Sequence, residues 1–294
     1  MYKKILVPLD GSDLSASVLP FVRWLTSALK TPVELLHVRD VNRLAPYSPP
    51  LQVGYLEHIA QSFAQGSEVK CTIEQGSPAE LIIRTASAEP KVLVAMATHG
   101  YTGAARWLLG SVTQKVLHGL HSDLLTIRPG GGSDIWQAKL KTIIVPLDLS
   151  PAAEQVFAPV SELARQLGLE LLLVHVTKHV YTGPSDAFLP VFGAIPNLKE
   201  LWEHDRAMGA KYLAEKVEEL RGRGLSRLSS RVLAGGVDGA AGEIITAAES
   251  TPESLVAMTS VGQGGLGRWL VGSVTERVVC HSRSPVLVTR TQAS

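Results

Sequence analysis

A glycine followed by serine, valine and threonine occurs twice, at Gly110-Ser111-Val112-Thr113 and at Gly272-Ser273-Val274-Thr275. Nine residues separate each copy from an earlier glycine, Gly100 or Gly262. At the start of a helix such a segment is a cradle for an anion: unpaired backbone N–H groups and the positive helix end face outward, with two hydroxyls beside them. Gly100 and Gly262 would let the chain turn with positive φ and come close to a phosphate. A purely structural reading stands beside this one, in which Ser111 and Ser273 cap the helices and the glycines only serve the turn. Asp10, in Val-Pro-Leu-Asp-Gly-Ser, and Asp148, in Val-Pro-Leu-Asp-Leu-Ser, form a second pair of candidates. Each follows an apolar run and can meet a ligand or cap the helix that comes next.

Other signals are weaker. Residues 262–267 match Gly-x-Gly-x-x-Gly after an expected strand. The next strand, however, ends in Val288-Thr289-Arg290, with no acidic residue to hold a ribose hydroxyl, so a nicotinamide dinucleotide is not expected. No Gly-x4-Gly-Lys-Ser/Thr occurs, which excludes a P-loop. His99 either touches a phosphate or has no essential role, and its counterpart is Val261. His37 and His175 recur on an expected strand and read as buried, hydrogen-bonded histidines. Arg106-Trp107 and Arg268-Trp269 recur in the nine-residue loops. The arginines could reach phosphates or a partner, and the tryptophans could cover the crevice or a dimer contact. Beside the cradle there is no lysine, no second carboxylate for Mg²⁺ and no evident base, which argues against efficient hydrolysis of a bound nucleotide.

The elements that must position these residues come from a repeat. Lys3 to Ser12 reads KKILVPLDGS, and Lys141 to Ser150, 138 positions later, reads KTIIVPLDLS. RWLLGSVTQKV, from Arg106, returns as RWLVGSVTERV, from Arg268, 162 positions later. The second copy therefore holds about 24 additional residues, placed after Val176 in 181–197 and a helical run over 198–221. Within the first copy, apolar runs at 5–9, 33–38, 69–73, 92–97 and 124–127 read as strands, most of them buried on both faces. Helices are expected from residue 13 to about 29, at 55–65, at 78–88 and at 111–120, with Pro20 and Pro159 disturbing the first helix of each copy. Alternating strands and helices imply a parallel, doubly wound α/β sheet, with ligands beyond the carboxyl ends of the strands. The final strands, 124–127 and 286–289, are expected at sheet edges, covered by pairing between halves or between chains. Pro129 to Ser133 is a flexible joint, giving domains at 1–130 and 141–294 with a linker at 131–140.

Composition narrows the class further. The 294 residues carry 28 Lys plus Arg against 27 Asp plus Glu, too balanced for a nucleic-acid binder. The N-terminus turns polar too soon for a signal peptide, and no apolar run reaches the roughly 18–20 residues of a membrane span, so a cytoplasmic protein is expected. The two cysteines, Cys71 and Cys280, lie outside any metal-binding spacing.

Val-Pro-x-Asp-x-Ser at the first strand, joined to Gly-x2-Gly-x9-Gly-Ser after the fourth, resembles the universal stress protein family in its tandem two-domain form. The resemblance covers nearly all of the chain except most of 41–65 and the expansion after Val176. It implies two five-stranded domains of the Rossmann-like, adenine nucleotide alpha hydrolase-like type. It also implies a pseudo-dimer within the chain, a homodimer, a role in stress response, and ATP as ligand, with Mg²⁺ or Mn²⁺ held through its phosphates. By similarity Asp10 and Val38 meet the adenosine end, Met96 borders the base, and Gly100, Gly110, Ser111, Val112 and Thr113 hold the ribose and phosphates, with Pro8 and Ala97 also counted among the binding residues. The counterparts are Asp148, Val176, Met258, Gly262, Gly272, Ser273, Val274 and Thr275. The family's first glycine is Ala97 in one half and the β-branched Thr259 in the other, so the first site is expected to be the stronger. The alternative is a tandem scaffold with one or both sites degenerate. An enzyme of a related nucleotide-binding fold is disfavoured, since no Ser-Gly-Gly-x-Asp-Ser-like loop follows the first strand.

Overall fold

In a computed structural model of the chain, described for residues 1–40, 54–99, 109–129, 140–178, 198–260 and 271–290, each half alternates strands with helices. The first half contains β1 (Lys4–Pro8), α1 (Asp13–Ala16), α2 (Leu19–Leu29), β2 (Val33–Asp40), α3 (Tyr55–Gln61), β3 (Val69–Gly76), α4 (Pro78–Ser87), β4 (Val92–Ala97), α5 (Ser111–Gly119) and β5 (Asp123–Ile127). The second contains β6 (Thr142–Pro146), α6 (Pro151–Glu154), α7 (Phe157–Leu167), β7 (Glu170–Val176), α8 (Leu198–Gly222), β8 (Leu228–Leu233), α9 (Gly239–Glu249), β9 (Ser254–Thr259), α10 (Ser273–His281) and β10 (Val286–Thr289). The joint at 130–139 and the segment 181–197 lie outside the described residues.

The expected first helix is two helices in each half. Ser17 N–H turns back to the Leu14 carbonyl, and α2 starts afresh with Pro20 in its first turn, where the missing N–H costs nothing. Pro151 opens α6 in the same way, and Pro159 lies in the first turn of α7. Strands β2 and β3 run further than their apolar cores suggest, because their pairing continues to Asp40 and Gly76.

All ten strands form one sheet in the order β3-β2-β1-β4-β5-β10-β9-β6-β7-β8. Every neighbouring pair is parallel except β5 with β10, where Leu124 faces Val288 and Thr126 faces Val286 in antiparallel register. The final strands thus cover each other within the chain. Helices lie on both faces. Ile5, Val7, Leu35 and their counterparts Ile143, Val145 and Leu173 pack against α2, α3, α7 and α8. Leu6, Leu36, Ile144 and Val174 pack against α4, α5, α9 and α10. Each layer is continuous across the two halves.

Polar ties secure the junction. Asp123 accepts from the Tyr2 hydroxyl at 2.8 Å and from the Arg290 main-chain N–H at 3.1 Å. Arg290 also donates to the Leu117 carbonyl in the last turn of α5. Arg128 donates to the His281 carbonyl at the end of α10, at 3.0 Å. Each half therefore supplies a cation to the carbonyl end of the other half's helix, the end that attracts positive charge. Burial draws the Arg290 guanidinium down to about 10, against the pull of Asp123, and burial raises the carboxyl of Asp123 despite those two donors.

Glu34, buried on β2, closes the outer part of the first half. Burial would raise its carboxyl, yet Lys4 at 2.8 Å, Thr72 at 2.7 Å and Lys70 at 3.1 Å outweigh that and hold it at about 2. Its stabilisation is complete above the ordinary glutamate range and is lost as the pH falls from about 4.5 toward 2. Urea titrations of the wild type and Glu34→Gln should differ by about 2–3 kcal/mol near neutral pH and converge in acid. A gap that does not narrow with acid would refute this account.

Candidate functional site

The chain leaves β1 toward β2 on one side and returns to place β4 on the other, so the order of strands reverses between β1 and β4. In a doubly wound sheet the crevice opens at that point, beyond the strand ends. The second half repeats the arrangement between β6 and β9.

The loop after β1 is pinned from below and from within. His37 Nδ1 lies 2.8 Å from the Leu9 carbonyl, and His175 Nδ1 lies 2.8 Å from that of Leu147. Since a carbonyl only accepts, Nδ1 carries the proton in both rings. Both histidines are buried, as their recurrence on a strand suggested. Asp10 Oδ1 accepts from the Ser12 main-chain N–H at 3.0 Å and from its hydroxyl at 2.6 Å, while Ser12 Oγ caps α1 by accepting from Ser15 N–H. Asp148, Ser150 and Ala153 repeat this relay. The serines are the caps, and the aspartates brace them from the crevice side. Between aspartate and serine the chain takes a left-handed turn in both halves. Gly11 adopts φ 87° there, and Leu149 must hold φ 68°. A leucine is strained in that region, so the relay imposes the turn whatever residue occupies it.

The loop after β4 meets α5 just as tightly. Gly110 N–H donates to the Thr98 carbonyl at 2.9 Å, and Gly272 N–H to that of Ser260 at 2.7 Å. A Cβ on Gly110 would stand 3.1 Å from the Thr98 oxygen and 3.5 Å from His99 Cα. Its φ of −59° suits any residue, so the close approach is what favours glycine. Gly110 and Gly272, not the serines, occupy the cap positions, and neither helix start has a side-chain cap. Among the described residues, no hydrogen-bond partner stands at the main-chain N–H groups of Ser111, Val112 and Thr113. Ser111 and Ser273 are exposed. Thr113 is buried and spends its hydroxyl on the Ala97 carbonyl at 3.1 Å, as Thr275 does on Thr259 at 3.0 Å. Each threonine latches helix to strand and can offer a ligand its main-chain N–H.

Pro8, Asp10, Val38, Met96, Ala97 and Gly110 to Thr113 therefore gather at one end of the first sheet, with Met96 and Ala97 buried at the strand end. Asp148, Val176, Met258 and Gly272 to Thr275 gather likewise in the second half. Thr259 is buried, and the strand end around it keeps the geometry of Ala97. Gly100, Gly262, Arg106, Trp107, Arg268 and Trp269 lie outside the described residues. Among those described, no three His, Cys, Asp or Glu side chains gather as a metal site.

A pair of tyrosines escaped the sequence. Tyr55 opens α3 and Tyr212 lies within α8, each followed by a leucine, a signal hidden in the stretch where the repeat is weakest. Burial raises the Tyr55 phenol, and the charges of Asp10 and Asp13 add to it. Burial likewise raises the Tyr212 phenol, helped by its 2.8 Å hydrogen bond to Glu154. In the second half α8 clamps the strand-one loop: Lys216 pairs with Glu154 at 2.7 Å, and Asp205 accepts from Lys178 N–H at 2.9 Å just past β7. His99, which the sequence offered as a phosphate contact or as a residue with no essential role, has its Nδ1 3.0 Å from Thr98 Oγ1, and among the described residues its buried Nε2 has no hydrogen-bond partner.

A doubly wound domain with a capped aspartate loop and an open helix start at its switch point, built twice in one chain, is a tandem α/β protein with paired crevices. Residues 1–128 and 139–290 each match the universal stress protein family, and the chain belongs to it. A universal stress protein of Mycolicibacterium smegmatis is 24% identical over 96% of this chain and 96% of its own length. One from Methanocaldococcus jannaschii is 27% identical over 44% of this chain and 83% of its own length. Among solved structures, a universal stress protein of Archaeoglobus fulgidus shares the fold across 99% of both chains, with a TM-score of 0.67 at 20% identity.

Leu149→Gly should stabilise the protein by about 1 kcal/mol in urea denaturation, because it removes the side chain from a left-handed position. A loss of stability would mean that the Leu149 side chain contributes packing that outweighs its backbone strain.

Proposed function

We propose that the protein is a cytoplasmic stress-response regulator that binds ATP in these crevices, more tightly in the first half than in the second. The observation that carries this reading is the start of α5. A glycine is held so close to the preceding strand loop that a Cβ would crowd the Thr98 carbonyl, and three main-chain N–H donors lie beyond it. An orphaned imidazole nitrogen beside that start is a second sign that a hydrogen-bonding group belongs there.

ATP fits the residues present. Its phosphates would take the N–H groups of Ser111, Val112 and Thr113 and the Ser111 hydroxyl, and its adenosine end would lie toward Asp10 and Val38. When bound, ATP supplies the polyphosphate charge that would recruit Mg²⁺ or Mn²⁺. The flanking residues supply positioning, and nothing in the described crevice is suited to activating water, so binding would serve as a signal with at most slow hydrolysis. In the second half the strained Leu149, together with Thr259 and Val261, favours a weaker or degenerate site whose role is to complete the sheet. A homodimer would use surfaces other than the final strands, which are already paired.

Isothermal titration of the full chain with ATP should give affinity on the order of micromolar and a stoichiometry near one. Gly110→Val should lower that affinity more than tenfold, while Gly272→Val leaves it nearly unchanged, with thermal melts confirming that both variants fold. Absence of ATP binding, or two equal sites, would overturn this assignment. Rapid phosphate release would overturn its non-enzymatic part.

A further inference from the structure

We infer that His99 is a further nucleotide-binding residue of the first half, donating from Nε2 to a phosphate oxygen, and that this contact tightens binding as the pH falls. The inference rests on the ATP-binding reading above and assigns to one side chain a task that main-chain amides cannot perform, since amides do not titrate.

Three observations converge on the imidazole. The ring leaves the chain immediately after Thr98, whose carbonyl holds Gly110 N–H, and His99 Cα stands 3.5 Å from where a Cβ on Gly110 would lie. The ring therefore springs from the edge of the helix start that would take the phosphates. Its Nδ1 is occupied by the Thr98 hydroxyl at 3.0 Å, which fixes the ring and directs chemistry to the other nitrogen. That nitrogen is buried and, among the described residues, has no hydrogen-bond partner. A buried polar atom left in this way is destabilising, a cost that disappears when an acceptor arrives. A phosphate oxygen is such an acceptor, whether Nε2–H belongs to the neutral ring or to the imidazolium.

The charged and titratable groups around the ring leave this role open. At the end of β1, Asp10 is engaged with Ser12. Past the end of β5, Arg128 points to the His281 carbonyl, and on α10 the Cys280 thiol faces the Leu109 main chain. On α5, Lys115 and His118 come only in the later turns, and His118 pairs with Glu276 at 3.6 Å. The equivalent of His99 in the second half is Val261, which can neither donate nor titrate. One duplicated crevice would thus sense protons and the other would not.

The sign follows from charge. The imidazolium donates and adds a positive charge next to the phosphates, so affinity rises as the pH drops. The terminal phosphate of ATP also takes up a proton in mild acid, so the variant comparison must cancel it. Titration calorimetry with ATP at about pH 6 and about pH 8 would compare wild type, His99→Gln, which keeps a neutral donor, and His99→Val, which copies the second half. The wild-type affinity should gain about five- to tenfold over His99→Gln on going to the lower pH, and His99→Val should be weaker than both at either pH. In NMR spectra, the imidazole resonance that His99→Gln removes should titrate at higher pH once ATP is added. Identical pH profiles for wild type and His99→Gln, or an imidazole titration unmoved by ATP, would overturn the proposal. If ATP binds and Gly110→Val abolishes binding while His99→Gln behaves as wild type, the His99 contact alone fails. If wild type binds no ATP, both readings fail.

Discussion

One antiparallel contact, between β5 and β10, holds the molecule in its form. Nine strand pairings join the ten strands and eight are parallel, each requiring a crossover helix. The ninth needs no connection at all, because it joins the last strand of one half to the last strand of the other. Without it each half would present an apolar edge formed by residues such as Leu124, Leu125, Leu287 and Val288, all essentially buried. With it, both helical layers run uninterrupted past the boundary, and Arg128 and Arg290 can each reach the carbonyl end of the opposite helix. The crevices are set by the same contact. Helices α5 and α10, whose starts form the candidate cradles, have their far ends tied across it.

Duplication explains what the two halves share, and their differences show which shared features are enforced. His37 and His175, the Asp-Ser relays and the Thr latches recur with nearly identical distances, so they belong to the fold whether or not both crevices are used. Leu149 is more telling, since it endures a backbone conformation that Gly11 adopts freely. The second half has also lengthened one helix to the 25 residues of α8, which ties the strand-one loop through Tyr212 and Lys216. A short α3 of 7 residues occupies that place in the first half. In the second half the strand-one loop is therefore tied to the lengthened helix.

The sheet and its boundaries were readable because fully buried parallel strands appear as unbroken apolar runs, and the repeat offsets located the same runs twice. What remained hidden depended on contacts between residues distant in sequence. Ser111 looked like a cap because serine before an apolar periodic stretch usually is one. Only the proximity of Gly110 to the Thr98 carbonyl moves the cap back one position. Thr113 looked like a ligand group because hydroxyls beside glycines often are, whereas its burial turns it to Ala97. The break before Pro20 was foreseen as a disturbance but not as two separate helices. The Tyr2–Asp123–Arg290 cluster leaves no local pattern, since its members come from the beginning, the middle and the end of the chain.

That central pairing also sets an order of events during synthesis. When β5 leaves the ribosome its partner strand is still about 160 residues from being made, a delay of roughly ten to thirty seconds at ordinary elongation rates. Throughout that interval the newborn first half carries an open, apolar strand edge whose proper partner has not yet been translated, while neighbouring nascent chains offer the same edge. Single-chain fusion thus guarantees the right partner in the finished protein and leaves a window in which a chaperone, or the speed of translation, must keep the wrong ones away.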